Sequence, residues 1–413
     1  MADLPSKPFD AARRLEAVFS PVIPEVAALS RATPGTLSLA QGMVPWAPPA
    51  AVGQAVQRAL EEAGRDPQRP SAPLHRYGAM AGEPELLERI ATTLRHHNRL
   101  ELDHSTRLVT AGSNMAFHAV AQVICEPGSE VLLPVPYYFN HAMAIQMAGG
   151  VPVPVEAGLI PDPERLERAI GPRCRAIVTV SPNNPSGLVL SRPVLEAINT
   201  LCARRGLFHI SDEAYEHFVH GSEPHHSPGA AAGSSAHTIT LHSLSKAYGM
   251  AGWRIGYAAV PRSLLGALTK VQDTVLICPP LLLQRAAIAA LEAGPAWCAA
   301  PIRALGQRRL LLLEHLQAMA GRLPCRLLAE PDGAFYALLQ VGPAGAEALS
   351  ARQVMRRLVL EHRLACLEGN SFGFREERHG CVLRLSYGML AEEELAEALR
   401  RLEAGIAALT LSR

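Results

Sequence analysis

Short β-rich runs recur through the middle of the chain, separated by stretches with helical periodicity. Arg107–Thr110, Glu130–Val135, Val151–Val155, Ala176–Val180, Leu207–Ile210, Thr238–Leu241 and Ile255–Val260 read as strands. Between most of them lie helix-length segments such as Met115–Cys125, Pro163–Ile170 and Arg192–Arg205. Strands alternating with helices predict an α/β fold with a doubly wound, largely parallel sheet. Ligands of such sheets collect beyond the carboxyl ends of the strands. From about Pro301 the pattern changes. An amphipathic helix is predicted over Ile302–Ala320, then strand-like Ala334–Leu339, a helix near Ala351–Glu361, strand-like Val382–Tyr387 and a last helix from Ala391. This predicts a large domain over residues 50–300 and a smaller α/β domain over 301–413. The proline-rich stretch Pro21–Pro49 reads as a wrapping arm, so residues 1–49 are assigned to that arm and part of the smaller domain.

Composition narrows the function classes. With 413 residues and 48% apolar content, the chain can bury two cores. A net charge of +1 gives no basic surplus for nucleic acid or an anionic membrane. Val275–Leu291, the most apolar stretch, is broken by Pro279, Pro280 and Arg285, too interrupted to span a membrane. Met1–Asp10 has no apolar run of the secretory type. The eight cysteines include no Cys-x-x-Cys pair, which predicts buried thiols and a cytoplasmic setting. No metal is expected: His96–His97 and His225–His226 have no ligand spacing and read as solvent-exposed. Among 39 basic residues only Lys7, Lys246 and Lys270 are lysine. A chain that uses arginine so freely keeps lysine where an amine is needed, because only an amine forms an imine with a carbonyl.

The distinctive segments follow the strands. Ala111-Gly112-Ser113-Asn114 is a glycine turn opening a helix, suited to a phosphate or to a plain helix cap. Pro136-Tyr137-Tyr138-Phe139-Asn140-His141 offers an aromatic to stack on a flat ring or to pack locally. Ser181-Pro182-Asn183-Asn184-Pro185-Ser186-Gly187 makes a rigid turn that can hold an amide donor. Ser211-Asp212-Glu213-Ala214-Tyr215 puts a carboxylate at a strand end, where burial demands a cation or several donors. Ser243-Leu244-Ser245-Lys246, with Arg254 eight residues on, combines hydroxyls, an amine and a guanidinium suited to a phosphate dianion.

Taken in order, Asn184-Pro185-Ser186-Gly187, Asp212-Glu213-Ala214-Tyr215, Ser243-Leu244-Ser245-Lys246 with Arg254, and Arg384-Leu385-Ser386 resemble the class I/II aminotransferases of fold type I. The resemblance runs from about Leu37 to the last helix. It implies a mostly parallel seven-stranded sheet, pyridoxal 5′-phosphate as cofactor, L-amino acid and 2-oxo acid substrates, and a homodimer with a shared active site. Lys246 matches the Schiff-base lysine and proton carrier. Asp212 matches the partner of the ring nitrogen, supported by His141. Asn184 and Tyr215 match donors to the ring's phenolic oxygen, and Tyr138 the stacking aromatic. Gly112, Ser113, Asn114, Ser243, Ser245 and Arg254 match the phosphate cup, which Tyr77 of the neighbouring subunit completes. Arg384 matches the grip on the substrate α-carboxylate, with Gly42 beside the substrate.

The arm departs from the common pattern, reading Gln41-Gly42-Met43-Val44-Pro45-Trp46, so Trp46 is expected to line the pocket. Asp273 occupies the place where aspartate-type relatives carry a second arginine, which points to neutral, aromatic or basic side chains. The runner-up is a β-lyase or biosynthetic synthase on the same scaffold. A silent cofactor-binding regulator lacks an appended DNA-binding segment here. A nicotinamide dehydrogenase lacks its Gly-x-Gly-x-x-Gly turn.

Overall fold

The computed structural model describes residues 12, 15–20, 22–64, 73–345 and 349–411. The readings of Lys7, Met1–Asp10 and Pro21 lie outside the described residues.

Seven strands form the central sheet: β1 (Ser105–Thr110), β2 (Glu130–Pro134), β3 (Val151–Val155), β4 (Cys174–Val180), β5 (Phe208–Asp212), β6 (Thr238–Ser243) and β7 (Gly256–Pro261). Their order across the sheet is β1-β7-β6-β5-β4-β2-β3. Every neighbouring pair is parallel except those made by β7, which runs antiparallel to β1 and β6. The carboxyl ends of six strands therefore share one edge of the sheet, and the amino end of β7 joins them. The apolar runs of β2, β4 and β6 are almost wholly buried, as strands covered by helices on both faces must be. Helix Ser113–Ile124 shows the packing. It buries Phe117, Val120 and Ile124, and the Phe117 ring stacks on His141 with centroids 4.1 Å apart. Burying a phenylalanine side chain contributes about 1.5–3 kcal/mol.

A second, antiparallel sheet has the order Leu367–Glu368, β9 (Cys381–Ser386), β8 (Tyr336–Val341), Cys325–Leu327. The arm reaches it directly. Leu37–Ser38 pairs in parallel with Leu364–Ala365, and Ser386 donates its backbone N–H to Leu39 at 2.7 Å.

Two expectations need correction. The stretch expected to be a proline-rich arm begins as helix Val22–Ala32, which buries Val22 and Val26; a proline at the third helical position is tolerated because its missing N–H has no partner there. The helix placed at Ile302–Ala320 begins after Gly294 and runs through Pro301, so residue 301 is no element boundary; a separate helix from Leu281 leads up to it. The real break is Gly294, at φ 70° and ψ 176°, followed by Pro295. Glycine alone adopts that geometry cheaply, and proline starts the next helical turn without losing a bond. No helix among the described residues is long and apolar enough to cross a membrane.

Candidate active site

Six of the seven strands deliver parts of a single partly open cavity at the shared edge, and β3 supplies none of its lining residues. After β1, Gly112 adopts φ 83° and opens helix Ser113–Ile124. A Cβ on Gly112 would stand 2.7 Å from Arg254 Nη2, so only glycine lets the guanidinium lie over this turn. After β2 comes Tyr138, after β4 Asn184, at the end of β5 Asp212, and at the end of β6 Ser243, Ser245 and Lys246. Arg254 precedes β7 and donates to the carbonyls of Ala251 at 2.9 Å and Ala111 at 3.3 Å. Ten of the sixteen residues singled out from sequence line this cavity: Ser113, Asn114, Tyr138, Asn184, Asp212, Tyr215, Ser243, Ser245, Lys246 and Arg254.

Three more stand one contact away. His141 lies behind the acid: its Nε2 is 3.0 Å from Asp212 Oδ2, while the Ala214 N–H donates to Oδ1 at 3.1 Å. The carboxylate is held from behind and faces the cavity. Gly42 contributes its carbonyl, which accepts from the Lys246 amine. A Cβ there would stand 2.1 Å from Tyr336 Oη, so the arm can approach this closely only as glycine. Arg384, on β9, is buried and donates to Asn184 Oδ1 at 2.9 Å and to the Ala40 carbonyl. Its Nε is enclosed without a partner, a donor awaiting an acceptor. Neither Arg384 nor Arg254 has a carboxylate partner among the described residues.

Gly112 forms the turn beneath Arg254 described above, and the remaining two lie elsewhere. Trp46 is half-buried, stacks on Phe218 at 6.3 Å and donates its indole N–H to Ala247, so it does not line the cavity as expected. Its neighbour Gly249 accepts that close packing, leaving the ring turned toward Phe218. Tyr77 is 80% exposed and lies outside the cavity of its own chain.

Burial and the cations Arg384 and Arg254 hold the Lys246 ammonium down to about 8, against the pull of Asp212. Burial pushes the Tyr215 phenol well above its ordinary range and Tyr336 up to about 12. Both remain protonated donors at neutral pH.

Tyr336 was not singled out from sequence. Its hydroxyl lies 2.6 Å from that of Tyr215, and the Arg384 guanidinium sits 4.6 Å over its ring. An aromatic in a strand-like run signals core, and nothing local marks it as part of a site.

The donor set suits a flat, anionic ligand. A helix N-terminus, serine hydroxyls and Arg254 converge at one end; a fixed carboxylate stands at the other, with an aromatic ring and a low-pKa amine between. These are groups that a phosphate, a protonated ring nitrogen and an aldehyde require.

The comparisons agree with this arrangement. The profile of the family described as "Aminotransferase class I and II" matches residues 35–402. The aspartate/prephenate aminotransferase of Thermus thermophilus is 38% identical over 333 residues, covering 79% of this chain and 82% of the relative. The aromatic aminotransferase ISS1 of Arabidopsis thaliana is 33% identical, covering 95% of each chain. The solved structure of Thermus thermophilus aspartate aminotransferase with maleate superposes with a TM-score of 0.84 at 33% identity, covering 96% of this chain and 99% of that one.

Proposed function

Because the chain belongs to the class I and II aminotransferase family, and is a pyridoxal 5′-phosphate-dependent transaminase of fold type I, we propose that Lys246 is the residue that holds the cofactor and moves the proton. The observation that carries this is the Lys246 amine, enclosed in one cavity with Asp212 and Arg254 and held near pKa 8. When bound, pyridoxal phosphate supplies the electrophilic carbon and an electron-withdrawing ring.

The chain's own residues do the rest. Asp212, fixed by His141 and the Ala214 N–H, presents an anion that keeps the ring nitrogen protonated. Arg384 occupies Asn184 Oδ1, which turns the Asn184 amide donor the other way, toward the cavity. Tyr215 donates beside it. Ser113, Asn114, Ser243, Ser245 and Arg254, at the Gly112 turn, would hold the phosphate, and Tyr138 would supply the aromatic surface for the ring. Arg384, through its unpartnered Nε edge, takes the α-carboxylate of the amino acid, with Gly42 alongside.

We read the preferred side chains as neutral, aromatic or basic. Tyr336 adds an aromatic surface next to Arg384, and Arg254 is the only cation besides Lys246 on the cavity wall among the described residues. Asp273 is exposed at the end of helix Leu265–Leu276. A homodimer is supported by exposed Tyr77 and Leu60, apolar groups on one surface beside Leu281. With eight unpaired cysteines, a cytoplasmic setting fits. We place the domain boundary at Gly294, not at residue 301.

The test is a panel of amino donors against pyruvate and 2-oxoglutarate, with oxo acid and ammonia both measured. Oxo acid release in step with amine transfer is expected. Ammonia as the main product would favour the lyase reading. Retention of more than a small fraction of the activity by Lys246→Ala would overturn the lysine assignment.

A further inference from the structure

On the far side of the turn that carries Asp212 and Tyr215, the chain buries a second polar cluster that transamination does not use. Glu216 is 7% exposed. Its Oε1 accepts from His242 Nδ1 at 3.2 Å and faces His217 Nε2 at 3.9 Å. Its Oε2 accepts from Asn98 Nδ2 and faces His97 Nε2 at 3.8 Å. The rings of His97 and His217 lie with centroids 4.7 Å apart. Residues 97 and 216–217 are far apart in sequence, so no spacing pattern announced them. The expectation of solvent exposure holds for His96 and His97, although the exposed His97 ring also meets Glu216 and His217; it fails for His225 and His226, which are half-buried, His225 on Glu213 at 3.1 Å.

We propose that His97, Glu216 and His217 form a site for a borderline divalent transition metal of the zinc type. One ligand atom from each lies within 4.8 Å of the others. Around a tetrahedral zinc, ligand atoms about 2.0–2.1 Å from the ion stand about 3.4 Å apart. The His97 and His217 nitrogens stand 3.8 and 3.9 Å from opposite oxygens of Glu216, so each ring must shift by at least about half an ångström to reach that spacing; His97 caps the end of helix Pro84–His96 with a side chain 32% exposed.

Three further observations support a ligand here. The Asn98 Oδ1 atom, on a side chain 5% exposed, has no partner, although the same amide grips Glu216. His242 bonds the carboxylate oxygen turned to His217 and stacks on Tyr257, the kind of outer support that orients a metal-binding carboxylate. A solvent-open cavity bounded by His97 and Asn98 gives an entry path.

The test uses the untagged, cofactor-loaded full chain. It is stripped with a chelator, incubated with zinc chloride, desalted and analysed for metal. About one zinc per chain is expected for the wild type and for His96→Ala, a neighbouring control. His97→Ala should retain at least about tenfold less, while keeping its metal-free transaminase activity, since His97 lies outside the cavity that holds Lys246 and Asp212. His217→Gln should lose zinc in the same way. Absence of stoichiometric zinc in the wild type, or equal retention by His97→Ala, would overturn the site. Neither result bears on the role of Lys246.

Discussion

The hydroxyl of Tyr215, just beyond β5, and that of Tyr336, the first residue of β8, lie 2.6 Å apart in a fully enclosed contact between the two sheets. Tyr215 has one hydroxyl hydrogen. If it donates to a ligand in the cavity, Tyr336 supplies the second bond of the relay.

Tyr336→Phe should therefore weaken turnover without dismantling the fold. A hydrogen bond of this kind contributes about 0.5–1.5 kcal/mol net, so kcat/KM should fall by roughly 2–10-fold. The absorbance of the bound cofactor should also change its pH dependence. An unchanged kcat/KM and unchanged spectrum would remove Tyr336 from the site.

Lys246 gives a pH prediction with a definite sign. Its folded pKa of about 8 lies below the 10.5 of an ordinary lysine, so the neutral amine is the form favoured by the fold. Between those two values the unfolded chain binds more protons, and the cofactor-free protein should gain stability as pH rises through that window. Covalent trapping of pyridoxal phosphate by borohydride should accelerate up to about pH 8 and then level off. A rate still climbing above pH 10 would mean the amine is not perturbed.

Asp212→Asn keeps the shape and removes the charge. An ion pair at about 4 Å in an effective dielectric near 20 amounts to roughly 4 kcal/mol, so kcat should drop by up to about a thousandfold. Cofactor binding, held mainly by the phosphate groups, should fall far less. Equal losses in both would indicate a purely structural acid.

Arg384→Lys preserves a cation but not the planar fork. Charge-assisted hydrogen bonds of this type contribute about 1.5–3 kcal/mol, so KM for the amino acid should rise about 10–150-fold. The variant also releases Asn184 Oδ1, so a smaller fall in kcat should accompany it.

Gly112→Ala tests the phosphate end. The residue would need a backbone region open essentially only to glycine, at about 1–3 kcal/mol, and its methyl would displace Arg254. Cofactor affinity should drop more than thermal stability, read by equilibrium dialysis against a melting curve.

Local signals carried much of this. Strands β3 and β2 begin where alternation and apolar runs predict, and helix Arg192–Arg205 matches its expected bounds, because caps and turn residues bracket them. The cavity wall was legible for a related reason: its residues follow strand ends, and topology brings those ends to one edge. Tyr336, Phe218 and the His97–Glu216 contact were not, since each depends on segments far apart in sequence packing face to face. The Gly294 break was hidden by Pro301, a stronger local signal that tertiary packing overrides.

The bond from Arg384 to the Ala40 carbonyl joins residues 344 positions apart, and the Lys246 amine reaches Gly42 across 204. A partly folded chain, whatever helices it had gained, would own none of these junctions. Capture of the vitamin B6 aldehyde thus serves as a certificate of completed folding, and by mass action the captured ligand then discourages the chain from opening again.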